Sequence, residues 1–259
     1  MKVSLLLPSF KRPDLLDLGL WSISQQLISH ELEIIVLNDG IKDNTENICK
    51  KYRKKLKIKY IFTGQRNKEE MIWRISGFAI NIGVKRATGD IIILSCAEMF
   101  HLNNSIDLAV NALIENENYI VTPEYILFDD NRKVLNYLTV EKTLDLPKEI
   151  KPDVTPTALR QTAMPYFMAF YKKHFITIGG YDEDLTGYAA DDNDLTDRLM
   201  TLGLIYYYVP SQIIHLYHSG TCDASRHDER PDWTHNFNIY KNRNKLIKRN
   251  LNREWGENK

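Results

Sequence analysis

The sequence has no excess of either charge and contains few cysteines. Its 34 acidic residues balance its 34 lysines and arginines, so no overall field of the 259-residue chain selects a nucleic acid or an acidic partner. The three cysteines, Cys49, Cys96 and Cys222, lie far apart and form no C-x-x-C pair. This spacing argues against a zinc knuckle or a disulfide framework and is typical of proteins in a reducing compartment.

Long apolar runs and the familiar phosphate-binding motifs are also missing. No apolar segment approaches the roughly 20 residues that span a membrane. A strand-like segment begins almost directly after Met1, and we therefore expect a cytoplasmic protein. The sequence has neither a G-x-G-x-x-G after the first strand nor a Walker lysine motif, so a phosphate-bearing ligand would need a metal or individual side chains.

Short apolar runs alternate with helical periodicity over the first third of the chain. This alternation predicts strands at Val3–Pro8, Glu33–Asp39, Ile58–Thr63 and Asp90–Ser95. It predicts helices at Leu15–Ile28, through Ile48, Tyr52 and Leu56, and at Glu70–Ala87. The last helix could break at Gly77 or Gly83. The fold class is therefore α/β, with a mostly parallel sheet flanked by helices. Ligands of such sheets bind beyond the carboxyl ends of the strands, so one edge is expected to carry Pro8–Arg12, Asn38–Gly40 and Ser95–His101.

A carboxylate and three imidazoles follow two of the predicted strands. Glu98 and His101 come just after the fourth strand, and His215 and His218 come after the strand-like segment Leu204–Pro210. Imidazoles together with a carboxylate suit a divalent transition metal such as manganese. The alternative is that His215 and His218 are buried, hydrogen-bonded histidines, which are common in protein interiors.

The acidic segment Gly187–Leu199 carries Asp191, Asp192 and Asp194 just before leucines at helical spacing. These acids are predicted at a helix N-terminus, where the helix dipole favours negative charge. Asp194 has an ordinary explanation, because it can pair with Arg198 one turn later, which contributes about half a kcal/mol on a helix surface. Asp191 and Asp192 have no such partner. Two adjacent carboxylates repel, which separates their pKa values, and one of them can then act as a base.

The last segment, residues 236–259, is basic. Among its aromatic and apolar residues it carries Lys241, Arg243, Lys245, Lys248, Arg249 and Arg253. We expect it to form a helical extension of a single domain over residues 1–235. Such a basic segment can contact the anionic inner face of a membrane peripherally. The alternative is a solvated helix that packs on the domain through one apolar stripe. No nucleic-acid partner is expected. The polar segment Thr221–Trp233 is either a lid or a surface loop.

Several short motifs occur in one order along residues 3–218. They are PSFKR at Pro8–Arg12, Asn38-Asp39-Gly40, Asn81-Ile82-Gly83 with Ala87–Asp90, Gly179–Glu183, Gly187–Arg198, and the pair His215 and His218. In this order they resemble the P-x-Y-N-R start, the D-D-G-S segment and the G-G-F-D-E turn of family-2-like glycosyltransferases with the GT-A fold. Gly187–Arg198 is similar to the W-G-G-E-D-x-D…R segment of β-1,4-galactosyltransferases and chondroitin-polymerase-type domains, with Tyr188 at the tryptophan position.

The resemblance implies a GT-A fold and the transfer of a sugar from a UDP-sugar to a hydroxyl of a glycan, glycolipid or other acceptor. It implies that Asp192 is the general base of an inverting displacement and that Asp191, with Tyr188, orients the acceptor hydroxyls. It also implies a Mn2+ or Mg2+ cofactor held by Glu98, His215 and His218. The donor would be bound by Pro8, Phe10, Arg12, Asp39, Arg74 and Asn81.

The chain departs from the family's pattern at two places. Where the family normally has D-x-D, this chain has Ser95-Cys96-Ala97-Glu98, which leaves Glu98 as the carboxylate ligand. Ile80 stands where many members have an arginine that faces the pyrophosphate, and the residues that could compensate are Arg74, Lys85 and Arg66. Two other functions therefore stay open: a retaining GT-A transferase, and a non-catalytic module that binds a nucleotide-sugar or a glycan.

Overall fold

Strands and helices alternate along the chain in the computed structural model, which describes residues 1–64, 76–154, 156–159, 166–187, 189–218, 231–243 and 246–257. The strands are β1 (Lys2–Ser9), β2 (Glu31–Asn38), β3 (Ile58–Phe62), β4 (Ile91–Ser95), β5 (Met99–His101), β6 (Tyr119–Phe128), β7 (Phe167–Tyr171) and β8 (Ile205–His215). The helices are α1 (Pro13–Ile23), α2 (Thr45–Tyr52), α3 (Ser76–Arg86), α4 (Ser105–Glu115), α5 (Lys133–Val140), α6 (Lys172–Thr177), α7 (Asp191–Thr201) and α8 (Pro231–Arg243).

The strands form one sheet in the order β3-β2-β1-β4-β7-β6-β8-β5. The pairs β1 with β2, β1 with β4, β2 with β3 and β6 with β8 are parallel. Strand β7 is antiparallel to both β4 and β6, and β5 is antiparallel to β8. All strands except β5 and β7 therefore run in one direction. The predicted α/β fold is confirmed, and the sheet is mixed because of the two reversed strands.

The strands that run in one direction end at the same edge of the sheet, which we call the carboxyl edge. Their last residues include Ser9, Asn38, Ser95 and His215. The segments that follow them are in contact: the backbone N–H of Asp39 donates to the carbonyl of Ser9 at 2.9 Å, and that of Ala97 donates to the carbonyl of Pro8 at 3.3 Å. The predicted common edge for these segments is confirmed.

Both faces of the sheet are covered, which explains why its strands are continuous apolar runs. Leu5 and Leu7 of β1 pack in a cluster with residues of α1, α2 and α4. Leu6, between them, packs in a second cluster with residues of α3, α6 and α7. Side chains alternate between the two faces of a strand, so a strand that is buried on both faces needs apolar residues at every position.

Strand β8 is longer than predicted and contains a bulge. The strand does not stop at Pro210 but continues to His215. Three residues of β6, Pro123–Tyr125, lie opposite four residues of β8, Val209–Gln212, so β8 has one residue in excess at this point. The bulge accommodates Pro210, which has no N–H to donate to a regular ladder.

The helices differ from the prediction in their ends and in continuity. Helices α1 and α2 end earlier than predicted, at Ile23 and Tyr52. Helix α3 continues without interruption through Gly83, so a break at that glycine is wrong; Gly77 is the second residue of the helix, and residues 65–75 lie outside the described part of the chain. A Cβ on Gly83 would lie 2.7 Å from Leu6 and 2.8 Å from Leu37, so glycine lets α3 approach the sheet. Within the described residues, no helix has the length and apolar composition that crossing a bilayer requires.

The C-terminal segment is helical only in its first part. Helix α8 begins at Pro231 and ends at Arg243, whereas residues 246–257 form neither helix nor strand. The prediction of a helix over 236–259 is therefore wrong for residues 246–257, which we call the C-terminal tail. The tail packs on the domain: Arg249 is 3% exposed, and the ring of Trp255 lies 6.2 Å from that of Phe175 in α6.

Candidate active site

Glu98, His215 and His218 come together at the carboxyl edge, and we call them the His–Glu cluster. Glu98 lies in the turn between β4 and β5, and the pairing of Met99 with His215 brings that turn to the end of β8. The Nε2 atoms of His215 and His218 lie 3.8 and 3.7 Å from Oε1 of Glu98. One ligand atom from each residue lies within 4.8 Å of the other two. The three residues that the sequence assigned to a metal site are thus neighbours.

Aromatic rings fix the orientation of His215. Its ring stacks on Phe128, with 5.2 Å between the centroids, and meets the edge of Tyr166 at 5.1 Å. Burial lowers the pKa of His215 to about 4, and the nearby Glu98 opposes this effect only in part. The imidazole is therefore neutral at pH 7, which is the form in which histidine binds a metal.

Arg12 brings a positive charge to the same cluster. Its Nη1 donates to Oε1 of Glu98 at 2.5 Å, and its Nη2 lies 3.2 Å from Nδ1 of His218. Burial alone would raise the pKa of Glu98, but Arg12 and the two imidazoles outweigh burial and hold this pKa below its ordinary value. Glu98 is therefore ionised at neutral pH and can bind a cation.

The donor atoms of the His–Glu cluster suit a divalent metal ion. Two imidazoles and one carboxylate form a ligand set that leaves coordination positions open for a substrate. Neighbouring ligand atoms on one ion are about 3 Å apart, so the observed spacing requires only small side-chain rotations. His101 does not belong to the cluster, because its ring is fully buried and its Nδ1 bonds to the Ser105 hydroxyl at 2.8 Å.

Asp191 and Asp192 begin helix α7, as predicted, and we call them the acid pair. The two residues before them, Ala189 and Ala190, have left-handed backbone with φ of 66° and 68°. This conformation is unfavourable for alanine. The hydroxyl of Tyr181 donates to Oδ1 of Asp192 at 2.9 Å. A strained turn and one hydrogen bond therefore set the position of the acid pair.

Burial raises the pKa values of both carboxyls. The pKa of Asp191 rises to about 6, chiefly because its side chain is removed from water. The pKa of Asp192 rises well above its ordinary value because of burial and then the charge of Asp191, and the hydrogen bond from Tyr181 opposes this rise. A carboxylate with a raised pKa is a stronger base, which is the property that general-base catalysis requires.

Cys96 lies near both parts of the site. Burial, followed by the charges of Glu98 and Asp192, holds the pKa of its thiol well above the usual range, and Arg12 opposes this shift. The charges of the His–Glu cluster and of the acid pair thus act on one side chain.

A cavity of about 650 Å³ opens beside the His–Glu cluster and is lined by Phe10–Leu15, residues of α5 and its N-terminal neighbour Arg132, Tyr217 and His218. Two of its cationic residues, Lys11 and Arg132, have left-handed backbone with φ of 54° and 63°. The guanidinium of Arg132 lies 5.1 Å from the ring centre of Tyr217. Strained backbone of this kind concentrates at functional sites.

The residues predicted to bind the donor occupy different environments. Pro8, Phe10 and Arg12 are half-buried on or just after the end of β1. Asp39 is buried, and its Oδ1 accepts a hydrogen bond from the Thr63 hydroxyl at 2.5 Å. The structure therefore places these four residues at the carboxyl edge. The predictions for Arg74 and Tyr188 fall on residues outside the described part of the chain.

Asn81 does not face this edge, and its predicted role in donor binding is wrong. The side chain is fully buried, and its Oδ1 accepts a hydrogen bond from the N–H of Tyr181 at 2.9 Å. Its Nδ2 donates to the carbonyl of Tyr181 at 3.0 Å and to Oε1 of Glu183 at 3.1 Å. Asn81 therefore holds the turn that carries Tyr181. The motif was recognised in the sequence, but the direction of its amide depends on tertiary packing.

Asp194 is an interior residue rather than a surface helix residue. The predicted pair with Arg198 is present, with 2.8 Å between Nε of Arg198 and Oδ2 of Asp194, and both side chains are 2% exposed. Arg249 of the C-terminal tail donates to the other carboxylate oxygen at 2.5 Å. The expected contribution of half a kcal/mol is therefore wrong, because it applies to a solvated pair.

Three arginines of the basic C-terminal region pair with acidic residues of the domain. Arg243 lies 2.8 Å from Asp182 and 2.7 Å from Asp184, and Arg253 lies 2.6 Å from Asp184. Arg249 pairs with Asp194, as described above. These charges are engaged inside the molecule, which weakens the prediction of a membrane contact. Sequence analysis missed these pairs, and the available signal was the acidic turn at Asp182–Asp184 together with a basic segment.

The fold and the site define a GT-A glycosyltransferase. A family model for glycosyl transferase family 2 matches residues 4–179, and a model described as the N-terminal domain of galactosyltransferase matches residues 163–219. The first match covers more than half of the chain, which therefore belongs to glycosyl transferase family 2. The second match includes the acid pair, His215 and His218. The predicted resemblance to family-2 glycosyltransferases is confirmed.

Similar proteins include enzymes of different specificity. The chain is 23% identical over 236 residues to a chondroitin synthase of Escherichia coli, which is 79% of this chain and 33% of that protein. A mannosyltransferase, PcManGT from Pyrobaculum calidifontis, in complex with GDP-Man and Mn2+, is 15% identical with a TM-score of 0.59 over 95% of this chain and 67% of that chain. GalNAc-T7 with UDP, GalNAc and Mn2+ is 16% identical with a TM-score of 0.60 over 86% and 44%. The chain spans about a third of the length of several curated relatives.

Proposed function

We propose that the chain transfers a sugar from a UDP-sugar to a hydroxyl of a saccharide or other acceptor, with inversion at the anomeric carbon. The observation that carries this proposal is the geometry of the His–Glu cluster, in which one ligand atom from each of the three residues lies within 4.8 Å of the other two. A single displacement needs a group that neutralises the leaving diphosphate and a base for the attacking hydroxyl, held in one geometry. The His–Glu cluster suits the first of these roles, and the acid pair suits the second.

The His–Glu cluster and the cavity beside it suit the diphosphate of the donor. Bound Mn2+ or Mg2+, held by Glu98, His215 and His218, would supply Lewis-acid stabilisation of the leaving phosphates. Arg12 already contacts Glu98 and His218 and would add a charge-assisted hydrogen bond to a phosphate oxygen. Lys11 and Arg132 add positive charge to the adjoining cavity. Similar folds bind GDP-Man and UDP, so the fold leaves the base open.

Asp39 is the reason to propose a uracil base. Its carboxylate is buried at the end of β2, and a carboxylate can accept the imide proton of uracil. Phe10, half-buried on the neighbouring loop, offers an aromatic face for the same base. A carboxylate can also accept from the N1–H and the amino group of guanine, so the comparison of UDP with GDP decides between the two bases.

Asp192 would remove the proton of the acceptor hydroxyl. Its raised pKa makes it the stronger base of the acid pair, and the Tyr181 hydroxyl holds one of its oxygens, which leaves the other for the substrate. Asp191 increases the basicity of Asp192 by repulsion and would orient the acceptor. This assignment makes Asp192 the residue that separates an enzyme from a nucleotide-sugar-binding module.

The test combines ligand binding with product analysis. Thermal melting with UDP, GDP or CMP, each with and without Mn2+, is expected to show the largest stabilisation with UDP and Mn2+ together. Equal stabilisation by all three nucleotides, or by none, would contradict the donor assignment. The anomer released from a UDP-α-sugar, followed by proton NMR before mutarotation, is expected to be β. An α product would show a retaining transferase, and no release of UDP would favour a binding module.

A further inference from the structure

We propose that the C-terminal tail positions the general base, because Asn250 and Arg249 hold the two elements on which the placement of Asp192 depends. This inference rests on the proposed role of Asp192. Neither tail residue contacts the acid pair directly. They act through Tyr181 and through the first turn of α7, and are therefore positioning residues.

The first connection runs from Asn250 to the hydroxyl of Tyr181. The Nδ2 of Asn250 donates to the carbonyls of Tyr181 at 2.7 Å and of Gly179 at 2.8 Å, and its Oδ1 accepts from the N–H of Glu183 at 3.1 Å. Asn81 holds the same backbone from the side of α3. Two asparagine side chains thus fix the backbone of Tyr181, whose hydroxyl reaches Asp192.

The second connection runs from Arg249 to the first turn of α7. Arg249 donates to Asp194, which lies two residues after Asp192 in the same helical turn. Its backbone N–H donates to the carbonyl of Ile178 at 2.9 Å. Arg198 joins the two elements, because it bonds to Asp194 and to the carbonyls of Ile178 and Gly180 at 2.9 and 2.8 Å.

Close packing fixes the place of the tail on this turn. Gly179 has a φ of 77°, and a Cβ on it would overlap the carbonyl oxygen of Arg249. Gly180 has a φ of 70°, and a Cβ on it would lie 2.6 Å from the ring of Trp255. Glycine is therefore required at both positions by backbone conformation and by the approach of the tail.

The chemistry of these contacts favours positioning over a gain in stability alone. The charges of Arg249, Arg198 and Asp194 are removed from water, and well-packed apolar residues often replace such groups without loss of stability. Directional bonds instead allow only one placement of the groups they join. Here the joined groups are the backbone of Tyr181 and the first turn of α7, so their placement sets the positions of the Tyr181 hydroxyl and the Asp192 carboxylate.

The proposal predicts a change in the pH dependence of the reaction. The titratable groups that act on or bond to Asp192 are Asp191, Tyr181, Cys96 and Tyr206. The hydrogen bond from Tyr181 lowers the pKa of Asp192, so its loss raises that pKa. A base works only when it is deprotonated, and the acidic limb of the pH–rate profile therefore moves to higher pH.

The experiment compares Asn250→Gly with Asn252→Gly. Both asparagines have left-handed backbone, with φ of 52° and 58°, which glycine adopts freely. Asn252 is exposed, and within the described residues its side chain forms no hydrogen bond, so its replacement is the matched control. The assay is Mn2+-dependent UDP release from UDP-N-acetylglucosamine, UDP-N-acetylgalactosamine, UDP-glucose or UDP-glucuronate, using the best donor of the unaltered chain. Calorimetry with UDP and Mn2+ reports donor binding.

Asn250→Gly is expected to lower kcat about tenfold, to move the acidic limb upward and to leave UDP affinity unchanged. Asn252→Gly is expected to behave as the unaltered chain. Tyr181→Phe should move the limb in the same direction, and the double variant Tyr181→Phe with Asn250→Gly should show little further change, because both act through one bond.

Unchanged kcat and an unchanged limb in folded Asn250→Gly would overturn the proposal, as would additive effects in the double variant. If Asn250→Gly does not fold, Tyr181→Phe tests the proposal in its place. An unchanged acidic limb in Tyr181→Phe would overturn the proposal, because the tail is proposed to act on Asp192 through the Tyr181 hydroxyl. Failure of the proposed function looks different: Asp192→Asn would then release UDP at the unaltered rate, whatever the tail variants do.

Discussion

Arg249 and Asp194 lie 55 residues apart in the sequence and form an ion pair with 2.5 Å between Nη2 and Oδ1. Both side chains are 2% exposed. The other oxygen of Asp194 accepts a hydrogen bond from Arg198, so this carboxylate pairs with two interior arginines, while Asp182 lies 3.2 Å from Nε of Arg249. Loss of this carboxylate leaves positive charge in a site that water does not reach.

We therefore expect Asp194→Asn to lower the free energy of unfolding by about 3 kcal/mol, the usual cost of breaking a buried pair. Urea unfolding measures this loss. The matched control is Glu46→Gln, which breaks the exposed i,i+4 pair of Glu46 with Lys50 at 3.0 Å and should cost about 0.5 kcal/mol or less. Equal losses in the two variants would show that Asp194 behaves as a surface residue.

Two histidines of different environment test the metal site. His218→Ala should weaken Mn2+-dependent UDP binding about tenfold or more while the fold persists, because the side chain contacts the polar residues Arg12, Glu98 and His215 of the site. His101→Ala should lower stability and leave the binding of Mn2+ and UDP unchanged, because His101 is fully buried and bonds to Ser105. Calorimetry and thermal melting separate the two effects. The reverse assignment of effects would show that His218 is a structural histidine.

Asp192→Asn tests the base. The amide keeps the size of the side chain but cannot accept a proton, so we expect sugar transfer or UDP release to fall by about a hundredfold or more. UDP affinity, measured by calorimetry with Mn2+, should stay within about twofold, since Asp192 contacts Tyr181 rather than the His–Glu cluster. A variant with the unaltered rate would transfer the proposed role to Asp191.

Asp191 should reduce stability at neutral pH. Its pKa is about 6 in the folded chain, above its value of about 3.9 in an unfolded chain, so the folded state binds the proton more tightly. The resulting stabilisation is fully present below about pH 4 and is lost as the pH rises through 6. Asp191→Asn should therefore raise the free energy of unfolding by about 1 kcal/mol at pH 7.5, after allowance for solvent screening of a half-buried group, and by almost nothing at pH 4. Urea unfolding at both pH values measures this; a gain at pH 4 of the same size would contradict it.

The parts of the fold that follow from local pattern were predictable. The apolar runs of β1, β2 and β4 are buried on both faces, and such runs are easily recognised. The common carboxyl edge, which includes Glu98, follows from the parallel arrangement of the strands, and the family resemblance adds His215 and His218 to it. The order of motifs along the chain also predicted that the acid pair, which begins α7, belongs to the site.

The missed features depend on contacts between distant parts of the chain. Spacing alone gives the same i,i+4 pair for Asp194 whether it is exposed or buried, and the second partner, Arg249, comes from the tail. Asn81 belongs to a recognised motif, but its amide faces Tyr181 because α3 packs beneath that turn. Pro210 predicted the end of β8 because proline usually interrupts a strand. The prediction failed because the sequence does not show that a bulge lies there.

That bulge determines whether the His–Glu cluster exists at all. Beyond it, each residue of β8 points to the face opposite that of its neighbours, so one residue more or less in the strand would exchange the faces of all later side chains. With three residues of β8 opposite Pro123–Tyr125 instead of four, His215 would take the orientation that Ile214 now has, away from Glu98. The imidazole would then enter an apolar cluster, and Leu216 would take the position opposite Met99 that His215 now has. The number of β8 residues in the bulge thus decides on which face of the sheet the imidazole of His215 lies.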